Sequence, residues 1–109
     1  MKKPRKKRKT IPAVALQAMY ILRLYISAST LKSQRAVVNL KRVCEEHLKG
    51  RYDLEVIDIH KHAKLARDEQ IVAVPTLIKR LPAPLQRLVG DMSDLDKVLF
   101  GLDLKVRPQ

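Results

Sequence analysis

The sequence predicts a single α/β domain whose elements run β-α-β-α-β-β-α. Three observations predict it. Residues 19–59 read as strand, helix and strand in succession. Residues 76–90 hold two short apolar runs parted by a proline-rich turn, "LPAP". Residues 93–102 repeat apolar side chains at helical spacing. A chain of 109 residues fits one core.

Each element has its own signal. In "MYILRLYI" (19–26), Tyr20, Leu22, Leu24 and Ile26 share one face. Met19, Ile21 and Tyr25 share the other, where only Arg23 is polar. A strand apolar on both faces is central in a covered sheet. The hydroxyl-rich "SAST" that follows starts a helix. Over residues 31–49 the period changes: Val37, Leu40, Cys44 and Leu48 form a stripe, and Lys41, Arg42, Glu45 and Glu46 lie on the polar side. Gly50 stops the helix. "YDLEVIDI" (52–59) alternates as a second strand, parallel to the first because a helix joins them. "HKHAKLARDEQ" reads as a loop and a short helix. "TLIKRL" and "LQRLVG" are the third and fourth strands, turned by Pro82, Ala83 and Pro84. Pro75 heads the third strand, a place where a missing N–H is tolerated. Asp91 or Ser93 caps a last helix striped by Leu95, Val98, Leu99 and Leu102, and Ser93 with Asp96 loosely matches a capping box.

The formal net charge is +12, and seven of the twelve charges come from the lysines and arginines of residues 2–9, leaving five for the rest. A like-charge block repels itself, so residues 1–17 are expected to be a disordered basic extension, 18–105 the folded domain and 106–109 a short tail. The extension could serve as an arm for nucleic acid, anionic lipid or an acidic protein. The simpler reading is a solvated segment that aids solubility, since no aromatic residue is interleaved with the lysines for base stacking. No apolar run reaches the length of a membrane span. Residues 11–19, broken by Pro12 and Gln17, are too short for a signal peptide, so a cytoplasmic protein is expected. One cysteine, Cys44, excludes an intrachain disulfide, and its place on the apolar stripe predicts a buried, unreactive thiol.

No pattern argues for catalysis, a metal or a cofactor. His60 and His62 flank Lys61 without a cysteine or a compact carboxylate cluster to complete a metal site. Asp53, Glu55 and Asp58 lie along a strand and do not form a facing acid pair. Asp91, Asp94 and Asp96 suit the first turn of a helix. Gly50, Gly90 and Gly101 form no phosphate loop, and Ser27, Ser29 and Thr30 have no evident His–acid partner. The element order, with proline at the head of the third strand, is the thioredoxin plan. That plan carries its C-x-x-C pair in the turn after the first strand. Here the turn reads "ISASTLKS", so no thiolate nucleophile exists there.

The segments "YILRLYISAST", "KGRYDLEVIDI", "VPTLIKRLPAPLQRLVGD" and "KVLFGLDL" resemble the KaiB family of circadian clock proteins, in order and spacing, over residues 20–104. The resemblance implies a non-enzymatic regulator whose partner is a KaiC-type hexameric ATPase. It also implies KaiA as a protein captured by that complex, or a histidine kinase with a thioredoxin-like sensor domain as a competitor for the ATPase. It implies self-association as dimer or tetramer and two arrangements of one chain: a βαββααβ ground state and the thioredoxin-like βαβαββα form that binds the ring. Pro75, Pro82, Pro84, Gly101 and Asp103 lie in the half that changes. X-Pro bonds isomerise over roughly tens of seconds, which would make the prolines a slow gate. Asp103→Arg and Gly101→Ala are expected to disfavour the ground state while costing the ring-binding form less.

The resemblance places ring-binding anchors at Arg35 on the first helix, Tyr52 at the start of the second strand and Arg87 on the fourth, residue types favoured in interfaces. Departures are present. The first turn reads "SASTL" where the cyanobacterial pattern reads A-G-N-T-P. Glu55 and Gln70 stand in place of lysines, and an acidic C-terminal tail is absent. These favour a divergent member in timing or stress adaptation. Two competing readings are a small basic nucleic-acid-binding or ribosome-associated protein, and a redox-inactive thioredoxin-like adaptor in stress response. Tyr20, Tyr25, Tyr52 and Phe100 lie mostly on core-like stripes, which opposes the first.

Overall fold

A computed structural model describes residues 19–104. The basic extension and the last five residues lie outside that range. The elements are β1 (Tyr20–Ile26), α1 (Leu31–His47), β2 (Tyr52–Asp58), α2 (Ala63–Asp68), β3 (Thr76–Leu81), β4 (Gln86–Val89) and α3 (Leu95–Gly101). This is the expected order. The strands form one mixed sheet in the order β2-β1-β3-β4. β1 and β2 are parallel, from Tyr20 opposite Tyr52 to Ile26 opposite Asp58. β1 with β3, and β3 with β4, are antiparallel. The doubly apolar β1 is central, as its composition required.

Helices cover both faces. On one, Leu22 and Leu24 meet Ala36, Leu40, Cys44 and Leu48 from the α1 segment and Val98, Leu99 and Leu102 from the α3 segment. On the other, Tyr25, Ile57 and Ile78 pack with Ala66 of α2. Full burial of each such leucine contributes about 1.5–3 kcal/mol. The stripe on α1 is wider than the sequence suggested: Ser33, Ala36 and Val43 are buried too, and Val37 is half-buried. Small residues at 33 and 36 let the helix lie close to the sheet. The Tyr25 hydroxyl is buried without a hydrogen bond.

The caps hold one correction. Thr30 caps α1 as expected, its side chain accepting from the Ser33 N–H. For α3 the cap is Asp94, neither Asp91 nor Ser93; its carboxylate accepts from the Lys97 N–H. Asp91 instead accepts from the Ser93 N–H at 3.0 Å, closing a turn one step earlier. Phe100, expected on a core-like stripe, is 52% exposed. The seven-residue α3 turns Val98 and Leu99 inward, and Phe100 falls on its outer side.

The largest departure is Lys79. Its place in a strand gave no hint of burial, yet it is 1% exposed. Its ammonium donates to the carbonyls of Pro82 and Pro84, the latter at 2.9 Å, and sits 2.9 Å from an Asp103 carboxylate oxygen. The peptide bonds before Pro75, Pro82 and Pro84 are cis.

Candidate partner-binding surface

The turn after β1 is where a redox pair would stand. Ser27 N–H donates to Ser33 Oγ at 3.0 Å, and Thr30 Oγ1 donates to the Ser27 carbonyl at 3.1 Å. The parallel register puts Asp58 beside Ile26 and brings His60 into reach, with Nε2 3.1 Å from Ser27 Oγ. Sequence reading missed this pair because 33 residues separate its members. It is not a nucleophile–base–orienter set: the Asp58 carboxylate accepts from the His60 backbone N–H at 2.9 Å rather than from the ring. Among the described residues, no group of three His, Cys, Asp or Glu could hold a metal ion.

The one thiol is remote from that turn. Cys44 lies in the core, and burial pushes its pKa up to about 12, with the nearby Glu45 charge adding to the rise. It therefore stays protonated across the physiological range. Native protein at pH 8 is expected to leave Cys44 unmodified by a thiol reagent and to show no insulin-reducing activity, while denatured protein reacts fully. Cysteine-dependent turnover would overturn this.

The three expected anchors do not converge. Arg35 is exposed on α1. The carboxyl of Asp91 is lowered, first by its hydrogen bonds with Ser93 and further by the charges of Arg35 and Lys32. Asn39 Nδ2 donates to the Asp91 carbonyl at 2.9 Å, tying α1 to the loop after β4. Between them opens a cleft of about 250 Å³ with Lys32, Leu88, Met92, Asp94 and Lys97 on its walls. Tyr52 stands at the far end of α1, donating to Glu45 Oε2 at 2.7 Å. That bond, more than desolvation, raises the phenol to about 12. Arg87 is on the opposite edge strand, because β2 and β4 are the two outer strands. Its guanidinium donates to the Glu69 carbonyl at 2.6 Å and the Gln70 carbonyl at 3.4 Å. Arg87 and Gln70 are thus brought together, while Glu55 is paired with Arg23 at 3.5 Å on β1.

Three of the five positions assigned to switching converge, while Pro75 stands at the opposite end of β3 from Pro82 and Gly101 faces Leu88. Pro82, Pro84 and Asp103 all contact Lys79 through the bonds given above. Asp103 has φ +61°, a left-handed conformation that aspartate tolerates, just past the end of α3. In this form Asp103→Arg has a cost of its own: it removes a partner of Lys79 and sets a second cation beside a buried one. A Cβ on Gly101 would lie 2.7 Å from Leu88 Cδ1 and 3.0 Å from its Cγ. The half-buried Leu88 must turn aside, so the helix-propensity gain of about 1 kcal/mol from Gly101→Ala is reduced in this form.

Comparison with known proteins places these features. Residues 23–104 match the KaiB domain. The chain is 49% identical over 84 residues to the circadian clock protein KaiB3 of a Synechocystis species, covering 77% of this chain and 82% of that one. It is 48% identical over 91 residues to the circadian clock oscillator protein KaiB of Prochlorococcus marinus, covering 84% of each. Among solved structures it is similar to chloroplastic thioredoxin z, with TM-score 0.64, 18% identity and coverage of 85% and 86%. It is equally similar to the N-terminal domain of Synechococcus elongatus SasA, with TM-score 0.64, 21% identity and coverage of 94% and 100%. The fold is thioredoxin-like.

Proposed function

The chain belongs to the KaiB family, and from that premise we propose that it is a non-enzymatic timing regulator that binds a KaiC-type hexameric ATPase and modulates its phosphorylation cycle or output. The observation that carries the reading is a KaiB domain built on a thioredoxin-like scaffold whose redox turn, Ser27–Thr30, has no cysteine. Such a scaffold keeps a shaped surface and lacks the thiolate that would make it an oxidoreductase. Arg35, Tyr52 and Arg87 are the proposed anchors. A cytoplasmic location fits a partner of this kind, and among the described residues no helix is long and apolar enough to cross a membrane. Co-purification from the source cell tests the reading: a KaiC-type ATPase should be recovered with the tagged protein, and its absence from the recovered set counts against the assignment.

Fold switching belongs to the same proposal. The half from Val74 onward contains a four-residue edge strand, a seven-residue helix and Gly101 within that helix. Short elements with little covered surface open at low free energy. Amide exchange is expected to be faster by about tenfold or more in β4 and α3 than in β1 and α1 at the same stability. Uniform protection would argue for a fixed adaptor.

The basic extension is not expected to carry the ring-binding function. Residues 19–104 hold 14 lysines and arginines against 11 acids, a net +3, so nine positive charges lie outside them. Deleting residues 1–10 is expected to leave ring binding within about twofold while weakening any salt-sensitive binding to nucleic acid. Loss of ring binding at physiological salt would move the function to the extension.

A further inference from the structure

Arg80 lies on the α2-covered face of β3, next but one to Ile78. Its guanidinium meets Glu69 Oε1 at 2.6 Å, and both side chains are partly buried. Glu69 is the residue that ends α2. Its carbonyl, and that of the next residue Gln70, are the two groups that hold Arg87. Gln70 has φ +57°, so the chain turns sharply at this point. One acidic residue thus joins two arginines: its carboxylate takes Arg80, and its backbone takes Arg87. We propose that Arg80 and Glu69 are positioning residues that fix the turn after α2 and thereby hold the Arg87 guanidinium in place for an acidic group of the partner.

This rests on the ring-binding reading of Arg87 and names how that site is prepared. A guanidinium has five N–H donors in a rigid fork. Two Arg87 nitrogens are engaged by the carbonyls, and the side chain is otherwise exposed, which leaves donors for a carboxylate. An arginine ordered in advance loses less freedom on binding, and that saving corresponds to about two- to tenfold in affinity for one side chain. Arg80 is engaged by Glu69 and acts through the 69–70 turn.

The test uses the full chain and a purified hexameric KaiC-type ATPase. Arg80→Ala and Glu69→Ala are each expected to weaken binding about three- to tenfold, with Arg80→Lys recovering most of the loss. In an Arg87→Ala background, Arg80→Ala should change binding by less than about twofold. A further loss there as large as in wild type would show a merely structural effect and overturn the proposal. The side-chain Nε–H signal of Arg87 in NMR relaxation gives a readout that does not need the partner. It should be ordered in wild type and loosened in Arg80→Ala. Unchanged order would overturn positioning even if the ring binds. If wild type shows an ordered Arg87 and no ring binding, the functional reading fails and the positioning stands.

Discussion

Replacing Lys79 with methionine is expected to lower the unfolding free energy of the thioredoxin-like form by about 2–3 kcal/mol. Methionine keeps most of the volume, so no large cavity opens. It removes the ammonium that the carbonyls of half-buried Pro82 and exposed Pro84 accept from, and a carbonyl left without a donor costs about 1–3 kcal/mol when sealed from water and less where water can replace the lysine. The ion pair itself adds less. The Asp103 side chain is 49% exposed and can turn to water, while the lysine end of the pair carries a desolvation cost that methionine does not. Lys79→Ala should lose more, because the vacated stem leaves a cavity. Denaturant unfolding with an unchanged m-value measures this. A loss under about 0.5 kcal/mol for methionine would show that the turn holds its shape without the lysine.

Arg35→Ala is expected to weaken binding to the ATPase ring by about tenfold to thirtyfold, or 1.4–2 kcal/mol, with the midpoint of unfolding unchanged. Arg35 is exposed on α1 and outside both apolar clusters, so its loss leaves the core untouched. Its interaction with the domain is the electrostatic one that, with Lys32, lowers the carboxyl of Asp91. Between exposed groups such a contribution is small. Tyr52→Phe is a milder companion: it keeps the ring against the core and removes the bond to Glu45. Titration measures both. An Arg35→Ala protein that binds as wild type does would remove the first helix from the interface.

The order of elements was legible because each apolar pattern agrees with its neighbours. The two apolar faces of residues 20–26 required a central strand, and the proline-rich turn at 82–84 left space for only short strands on either side. What was not legible depends on contacts across the chain. Lysine is almost never fully buried, so a strand reading sends Lys79 outward; three oxygen acceptors from 82, 84 and 103 make its burial tolerable. Asp91, Ser93 and Asp94 are all acceptable caps by type, and only the turn closed by Asp91 decides for Asp94. The pairing of Ser27 with His60 follows from strand register, which no local window reports. The proposed anchors were chosen by residue type and family position. Their separation was not legible: Tyr52 and Arg87 occupy opposite edges of one sheet, so a partner that contacts all three must wrap the domain or use them in separate contacts.

Lys79 also connects the stability argument to the proposed switch. Three of the five positions proposed for switching, Pro82, Pro84 and Asp103, are its partners, so under the proposed switch these contacts would be exchanged for others. Asp103→Arg therefore costs this arrangement as well, and under the proposed switch the balance follows from which form loses more. The same lysine makes the thioredoxin-like form a specific state rather than a loose alternative, since two carbonyls and a carboxylate must be placed together to receive it.

The most direct measurement is a titration of the labelled full-length protein against purified hexameric KaiC-type ATPase from the same organism, with bovine serum albumin and an unrelated hexameric ATPase as controls. The account predicts saturable binding to the KaiC-type ring alone, with protomers of this chain approaching one per ATPase subunit, and weakening by Arg35→Ala. Binding that is absent, or equal for both rings, would contradict it.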